Sequence, residues 1–286
     1  SETVATAVGT MPVLTLGPLG SDDYWKMFKH FAFGSTEDTE ECTLLGDDWD
    51  DVEEDEEELS TIEQIASELA KKMAGLPLPA LAIGRALYFR RDDEDHWRNV
   101  LEDELWESQD VCGISPALWL SYRHLDPRLK QCFTYCAVFS DDYVFRKEEL
   151  VNMWVSQGLI YSDRSDMRLE DVGGEFFDEL VHRCFLQPIG GNRYVIHNSI
   201  QELARAVATR QFFMITESSG EVPQEACHLT IRTSNLSKLK SDLELQISPS
   251  PDHRFLYRVR TVLFQADFSE SDDFLDVLAH IFSMAK

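Results

Sequence analysis

Apolar residues recur along this chain mostly at intervals of three and four, the period of a helix with one buried face. In "SDDYWKMFKHFAF" that spacing puts Trp25, Phe28 and Ala32 on one stripe, with Ser21 or Asp22 placed to cap the helix. The apolar run "VLTL" before it reads as a short strand. "STIEQIASELAKKMAG" repeats the pattern through Ile62, Ile65, Ala66, Leu69 and Met73, opened by a Ser60 and Glu63 capping box and stopped by Gly75. Pro77 and Pro79 then predict an extended turn before a second apolar helix, "ALAIGRAL".

From residue 115 the punctuation is clear. Ser115-Pro116 and Asp126-Pro127 each set a capping residue before a proline at the first helical position, which predicts short helices in "ALWLSYRHL" and "RLKQCFTYCAVF". A third helix, "RKEELVNMWVSQ", stops at Gly158, and a fourth carries Leu169, Val172, Phe176, Phe177, Leu180, Val181 and Cys184 on one face. "FLQPIGGNRYVIH" holds two short extended runs around Gly190-Gly191-Asn192 and predicts a hairpin. A last helix carries Ile200, Leu203, Ala204 and Val207. After about residue 225 the pattern turns to strand-like "CHLTIR" and "VRTVLFQADF" and an amphipathic helix in "SDDFLDVLAHIF". The fold class is mainly α: a helical bundle, a winged helix with a small β-hairpin, then an α/β segment.

Charge narrows the choice of partner. The chain has 26 Lys and Arg against 52 Asp and Glu, a net charge of −26, which repels a nucleic-acid backbone unless a basic face is segregated. Winged helices often bind DNA, but the fourth helix here would bring Glu170, Asp171, Glu175, Asp178 and Glu179 near phosphates. Residues 37–58 hold fourteen acidic side chains, a block that predicts an exposed, disordered insertion and lacks the ligand spacing of an EF-hand. No apolar run approaches the roughly 18 residues of a membrane span and no basic-then-apolar leader opens the chain, so a soluble, cytoplasmic protein is expected. The six cysteines lie in apolar, helical stretches and read as reduced core thiols; Cys132 and Cys136 share a face, but nothing at zinc-site spacing completes a set, and no metal is expected.

No complete active site emerges. A phosphate cradle needs spaced glycines followed by Gly-Lys-Ser/Thr, and the sequence holds no Gly-Lys pair. "LLGDDWDD" only faintly resembles a magnesium-positioning strand and falls inside the acidic run. There is no Gly-x-Ser-x-Gly elbow, and the eight histidines show no spacing to a Ser or Cys that would mark a nucleophile. The chain is not expected to be an enzyme.

Four stretches together resemble one family. "GLPLPA", the forty-odd residues "LSYRHLDPRLKQCFTYCAVFSDDYVFRKEELVNMWVSQGLI", "VIHNSIQELA" and "LGPLGSDDYWKMFKHFAFG" match, in order and spacing, the GLPL, winged-helix and MHD motifs and a further block of the NB-ARC switch of plant intracellular immune receptors, the NLR class, most like the coiled-coil type. The resemblance covers nearly residues 1–215. It implies a remnant of the nucleotide-binding subdomain at 1–17, a helical-bundle subdomain at 18–112 with the acidic insertion 37–58, a winged-helix subdomain at 113–215, and a linker with the start of leucine-rich repeats at 216–286.

It also implies a site. In relatives the MHD histidine approaches the β-phosphate of bound ADP and locks the resting form, while the GLPL proline packs near adenine; here those roles fall to His197 and to Pro77 with Leu78 beside it, and Gly75 ends the helix before them. Asn198 stands where the motif has Asp. It keeps a helix-capping acceptor but loses a carboxylate's charge and its interaction with the helix dipole. The implied cofactor is ADP or ATP, which this chain is not expected to hold alone without a P-loop. The implied partners are the P-loop subdomain, leucine-rich repeats and other NLR chains, with no nucleic acid. The alternative is a truncated receptor or decoy that never binds nucleotide and acts by docking to other receptor chains.

Overall fold

The computed structural model describes residues 17–34, 60–108, 113–162, 167–208, 211–216, 225–232 and 260–264. The acidic run 37–58, the strand expected before Gly17 and the helix expected near the C-terminus lie outside these. Among the described residues the chain is mainly helical and divides into two units, one containing residues 115–121 and all described residues up to 108, the other the described residues from 122 onward with 113–114.

The first unit is a helical bundle of α1 (Ser21–Phe33), α2 (Thr61–Lys72), α3 (Pro77–Tyr88), α4 (Glu94–Leu101) and the start of α5 (Pro116–Arg123). Its core gathers Tyr24, Phe28 and Ala32 of α1, Ile65, Ala66 and Leu69 of α2, Ile83 and Leu87 of α3, Trp97 and Val100 of α4, and Ala117 and Leu120 of α5. Phe33 stacks on Trp97 with ring centroids 5.2 Å apart, and Trp97 donates its indole N–H to the Arg90 carbonyl at 3.2 Å, which satisfies its one polar atom. The capping box at α2 is complete: the Glu63 amide donates to Ser60 Oγ at 3.3 Å and the Ser60 amide to Glu63 Oε2 at 3.1 Å.

Two expectations need correction here. Neither Ser21 nor Asp22 caps α1; Gly20 is the capping position and makes no side-chain bond, while Ser21 is already helical. Pro77 and Pro79 do not form an extended turn. Both lie inside the first turn of α3, where the amides that proline lacks would have had no partner within the helix.

The second unit begins with α6 (Pro127–Tyr135), a 3₁₀ turn at Cys136–Val138, α7 (Lys147–Ser156) and α8 (Leu169–His182). β1 (Gln187–Pro188) and β2 (Tyr194–Val195) follow as an antiparallel hairpin, and Phe145 bridges to Tyr194 to give a third strand position. Glycines 190 and 191 and Asn192 all take positive φ at the hairpin tip. The core of this unit is aromatic: Phe133 packs edge-on to Phe185 at 4.7 Å, Phe139 to Phe145 at 4.9 Å, and Phe177 to Tyr194 at 4.8 Å. Trp154 is fully buried, and its indole N–H has no hydrogen-bond partner among the described residues.

Asp126 caps α6 by accepting from the Arg128 amide at 2.8 Å. That bond, ahead of the neighbouring charges of Arg128 and Lys130, holds its carboxyl below the usual carboxylate range. Asp126→Ala is expected to cost about 1 kcal/mol of unfolding free energy near neutral pH. Because the folded pKa is the lower one, the difference from wild type should shrink as pH falls through the folded value, and urea midpoints at pH 7 and pH 3 check both statements.

The helix α9 (Asn198–Ala208) leads into a parallel sheet, β3 (Phe212–Ile215), β4 (His228–Ile231) and β5 (Thr261–Phe264), paired in that order with Phe212 beside His228 and His228 beside Thr261. The sheet packs on α6 and the turn after it, where Tyr135 meets His228 edge-on at 5.5 Å. Cys132 and Cys136 are buried free thiols; burial pushes Cys132 up to about 12 and Cys136 higher still, so both remain protonated at neutral pH.

Candidate functional site

His197 is positioned by the wing. Tyr194 exchanges two backbone hydrogen bonds with Phe145, at 2.8 and 3.0 Å, and its ring rests on Phe177. Ile196, two residues on, is buried and anchors the segment that leads to α9. The His197 carbonyl then accepts from the amides of Ile200 at 2.8 Å and Gln201 at 2.9 Å, so His197 is the capping position.

Its side chain completes the cap. The Ser199 amide donates to His197 Nδ1 at 3.2 Å. Sequence preference assigns capping to asparagine rather than histidine, but Asn198 is the first residue inside α9 and is exposed. The capping role expected of Asn198 therefore belongs to His197. An accepting Nδ1 assigns the ring proton to Nε2, which stays available as a donor at the helix N-terminus. The first turn of α9 carries no carboxylate.

Gly75, Pro77 and Leu78 belong to the first unit. Gly75 takes φ +76° after α2, and the Leu19 amide donates to its carbonyl at 3.2 Å. A Cβ at Gly75 would lie 2.9 Å from Pro18 Cβ and 3.1 Å from the Leu19 carbonyl oxygen, so backbone conformation and close approach both require glycine. Tyr24 donates its hydroxyl to the Leu76 carbonyl at 3.2 Å, and burial pushes that phenol well above its usual range. The segment is thus fixed from both sides of Gly75. Leu76 and Leu19 are exposed, 50% and 42%, Pro77 is exposed at the start of α3, and Leu78 is half-buried.

The expected site residues thus fall into two sets, one on each unit: an apolar set around Pro77 and a polar set at the N-terminus of α9. Among the described residues, no group of His, Cys, Asp and Glu could hold a metal ion, and no helix is long and apolar enough to cross a membrane. One residue that matters at α9 escaped the sequence reading. Gln201 is 1% exposed and donates from Nε2 to the carbonyls of Cys136 and Phe139, at 3.0 and 2.9 Å. The available signal was a polar residue beside Ile200 and three before Ala204, within an apolar stripe.

Helices α6 to α8 with the Phe145, β1 and β2 wing define a winged-helix domain. Residues 138–204 match the winged-helix domain of disease resistance proteins. The chain is 35% identical over 211 residues to disease resistance protein RGA2 of Solanum bulbocastanum, covering 72% of this chain and 20% of that protein. It is 36% identical over 226 residues to RGA4 of the same species, covering 77% and 20%. Over 247 residues it is 31% identical to the disease resistance RPP13-like protein 1 of Arabidopsis thaliana, covering 85% and 21%. The chain belongs to the plant disease resistance protein family. It spans about a fifth of the length of the curated relatives it matches.

Proposed function

We propose that this chain forms the regulatory half of an ADP/ATP-dependent switch in plant defence, a two-state element whose equilibrium shifts on activation. The observation that carries the reading is the geometry of His197. Its ring caps α9 through Nδ1 and leaves Nε2–H as a donor beside a helix N-terminus, a combination suited to a phosphate oxygen. Pro77 and Leu78 supply an apolar surface suited to an adenine ring.

Each set by itself fits one part of a nucleotide, and neither supplies a phosphate cradle, since the sequence has no Gly-Lys-Ser/Thr loop. Nucleotide held here would therefore need a P-loop subdomain as partner, in the cytoplasm, with catalysis of hydrolysis falling to residues outside this chain. Titrating the chain with a P-loop fragment of a close relative and measuring labelled ADP tests this. Nucleotide retention that depends on His197 supports the switch; no retention at any ratio favours a decoy that acts by protein docking.

Asn198 tunes the same helix end. Asn198→Asp restores a carboxylate to a first turn that has none, and is expected to stabilise α9 by about 0.5 kcal/mol through the helix dipole. In the assembled receptor it should slow ADP release. An unchanged release rate would remove Asn198 from the account.

A further inference from the structure

Two elements far apart in sequence share the carbonyls of one short turn. The turn Cys136–Val138 ends α6 and passes into Phe139, whose amide donates back to the Cys136 carbonyl at 3.2 Å. From α9, Gln201 Nε2 donates to the carbonyls of Cys136 and Phe139, and Arg205 reaches the Phe139 carbonyl at 3.4 Å while pairing with Asp141 at 2.7 Å. From β4, Thr230 donates its hydroxyl to the carbonyl of Val138. Tyr135, the residue before the turn, sets its ring edge-on to Phe212 and His228 of the sheet.

We infer that the turn 136–139 is a coupling element between the parallel sheet and α9, and that Gln201 is the positioning residue through which it sets the His197 end of that helix. The physical basis is the stiffness of consecutive peptide planes. The Val138 carbonyl held by Thr230 lies between the two carbonyls held by Gln201, and planar trans peptides joined by two soft torsions per residue cannot reorient one without disturbing the next. Gln201 is directional rather than a filler. Its Oε1 is buried with no hydrogen-bond partner among the described residues, a cost that an apolar side chain of similar length would avoid, and its Nε2 spans both carbonyls.

In function this deepens the switch reading, since it would let the state of the sheet reach His197; the coupling itself stands apart from nucleotide. The test therefore uses the whole 286-residue chain without nucleotide. Amide hydrogen exchange is compared for Thr230→Val, Gln201→Met and the double variant. Gln201→Met leaves the Cys136 carbonyl its bond from Phe139 and the Phe139 carbonyl its contact with Arg205, so the turn keeps partners.

Thr230→Val is expected to raise exchange across α9 about fivefold, and Gln201→Met to raise it in β4 by a similar factor, with the double variant falling short of the product of the two. Thr230→Ser should restore α9, and the ¹⁵N resonance of His197 Nδ1 should move in Thr230→Val and return in Thr230→Ser. The inference is overturned if each variant acts only on its own element and the effects multiply. It is equally overturned if Phe176→Leu on α8, matched in its loss of global stability, gives the same response in α9 and β4. Failure of these couplings leaves the nucleotide assay untouched, so the two readings fall separately.

Discussion

Gly84→Val is expected to destabilise the first unit by about 3 kcal/mol or more, enough to lower its urea midpoint visibly. A Cβ at Gly84 on α3 would lie 2.7 Å from Phe31 Cβ, 3.2 Å from the Phe31 carbonyl carbon and 3.3 Å from the Ala32 amide nitrogen. These atoms are backbone or fixed directly to it, so α1 as a whole would have to move away from α3, disturbing Phe28 and Ala32 in the core. Even Gly84→Ala should lose about 1 kcal/mol net, because the clash outweighs the gain in helix propensity of about 1 kcal/mol. Gly173 on α8 gives the contrast. Its nearest obstacle is a single methyl of Val151, also at 2.7 Å, and its three nearest atoms all belong to side chains, so no backbone has to shift and the gain in helix propensity offsets the crowding. Gly173→Ala should be close to neutral, and equal losses at the two sites in paired urea titrations would refute the distinction between backbone and side-chain obstruction.

Acid should loosen the parallel sheet before it unfolds the bundle. His228 stacks on Phe212 with centroids 4.5 Å apart, meets Tyr135 edge-on and shares a 3.0 Å hydrogen bond with Thr261. Burial, with the Arg260 charge adding to it, lowers its pKa from 6.5 to about 4. The unfolded chain therefore binds the proton more readily than the folded one, and stability rises with pH wherever the two differ. The contribution of His228 is neutral above pH 6.5, becomes unfavourable as pH falls toward 4, and changes no further below that. Exchange of the β3 to β5 amides, corrected for intrinsic rates and referred to the bundle amides, should rise between pH 6.5 and 4 in the wild type. His228→Phe keeps the ring contacts, loses about 1 kcal/mol with the Thr261 bond, and should flatten that rise. An unchanged slope in the variant would assign the acid response to carboxylates instead.

Helix punctuation was legible where a local rule governs it. Ser60 with Glu63, and Asp126 with Pro127, specify helix starts through atoms three residues apart or fewer, and the structure has both. The cap on α1 and the turn at Pro77 were misread because a proline or serine is compatible with several positions around a helix start, and tertiary packing selects among them. The capping of α9 failed for a related reason: preference favours Asn198, but the wing fixes where the helix begins and leaves His197 at the boundary. The parallel pairing of β3, β4 and β5 joins segments separated by long connections, so no local pattern gives its register. Gln201 was visible only as an anomaly, since its partners lie more than sixty residues away. The apolar set at Gly75, Pro77 and Leu78 was legible as a motif, and the structure adds its cause, the contact of Gly75 with Pro18 and Leu19.

Trp154 makes the second unit unusually simple to observe by light. Of the six tryptophans in the chain it alone follows residue 121, so every indole signal assigned to the second unit has one source. Its ring is fully buried, and its N–H is bonded to no partner among the described residues. An indole in such a cage emits at short wavelength and resists quenching by iodide. A single fluorine on that ring would give one resonance for the winged helix, free of overlap once the other five, Trp25, Trp49, Trp97, Trp106 and Trp119, are assigned by substitution.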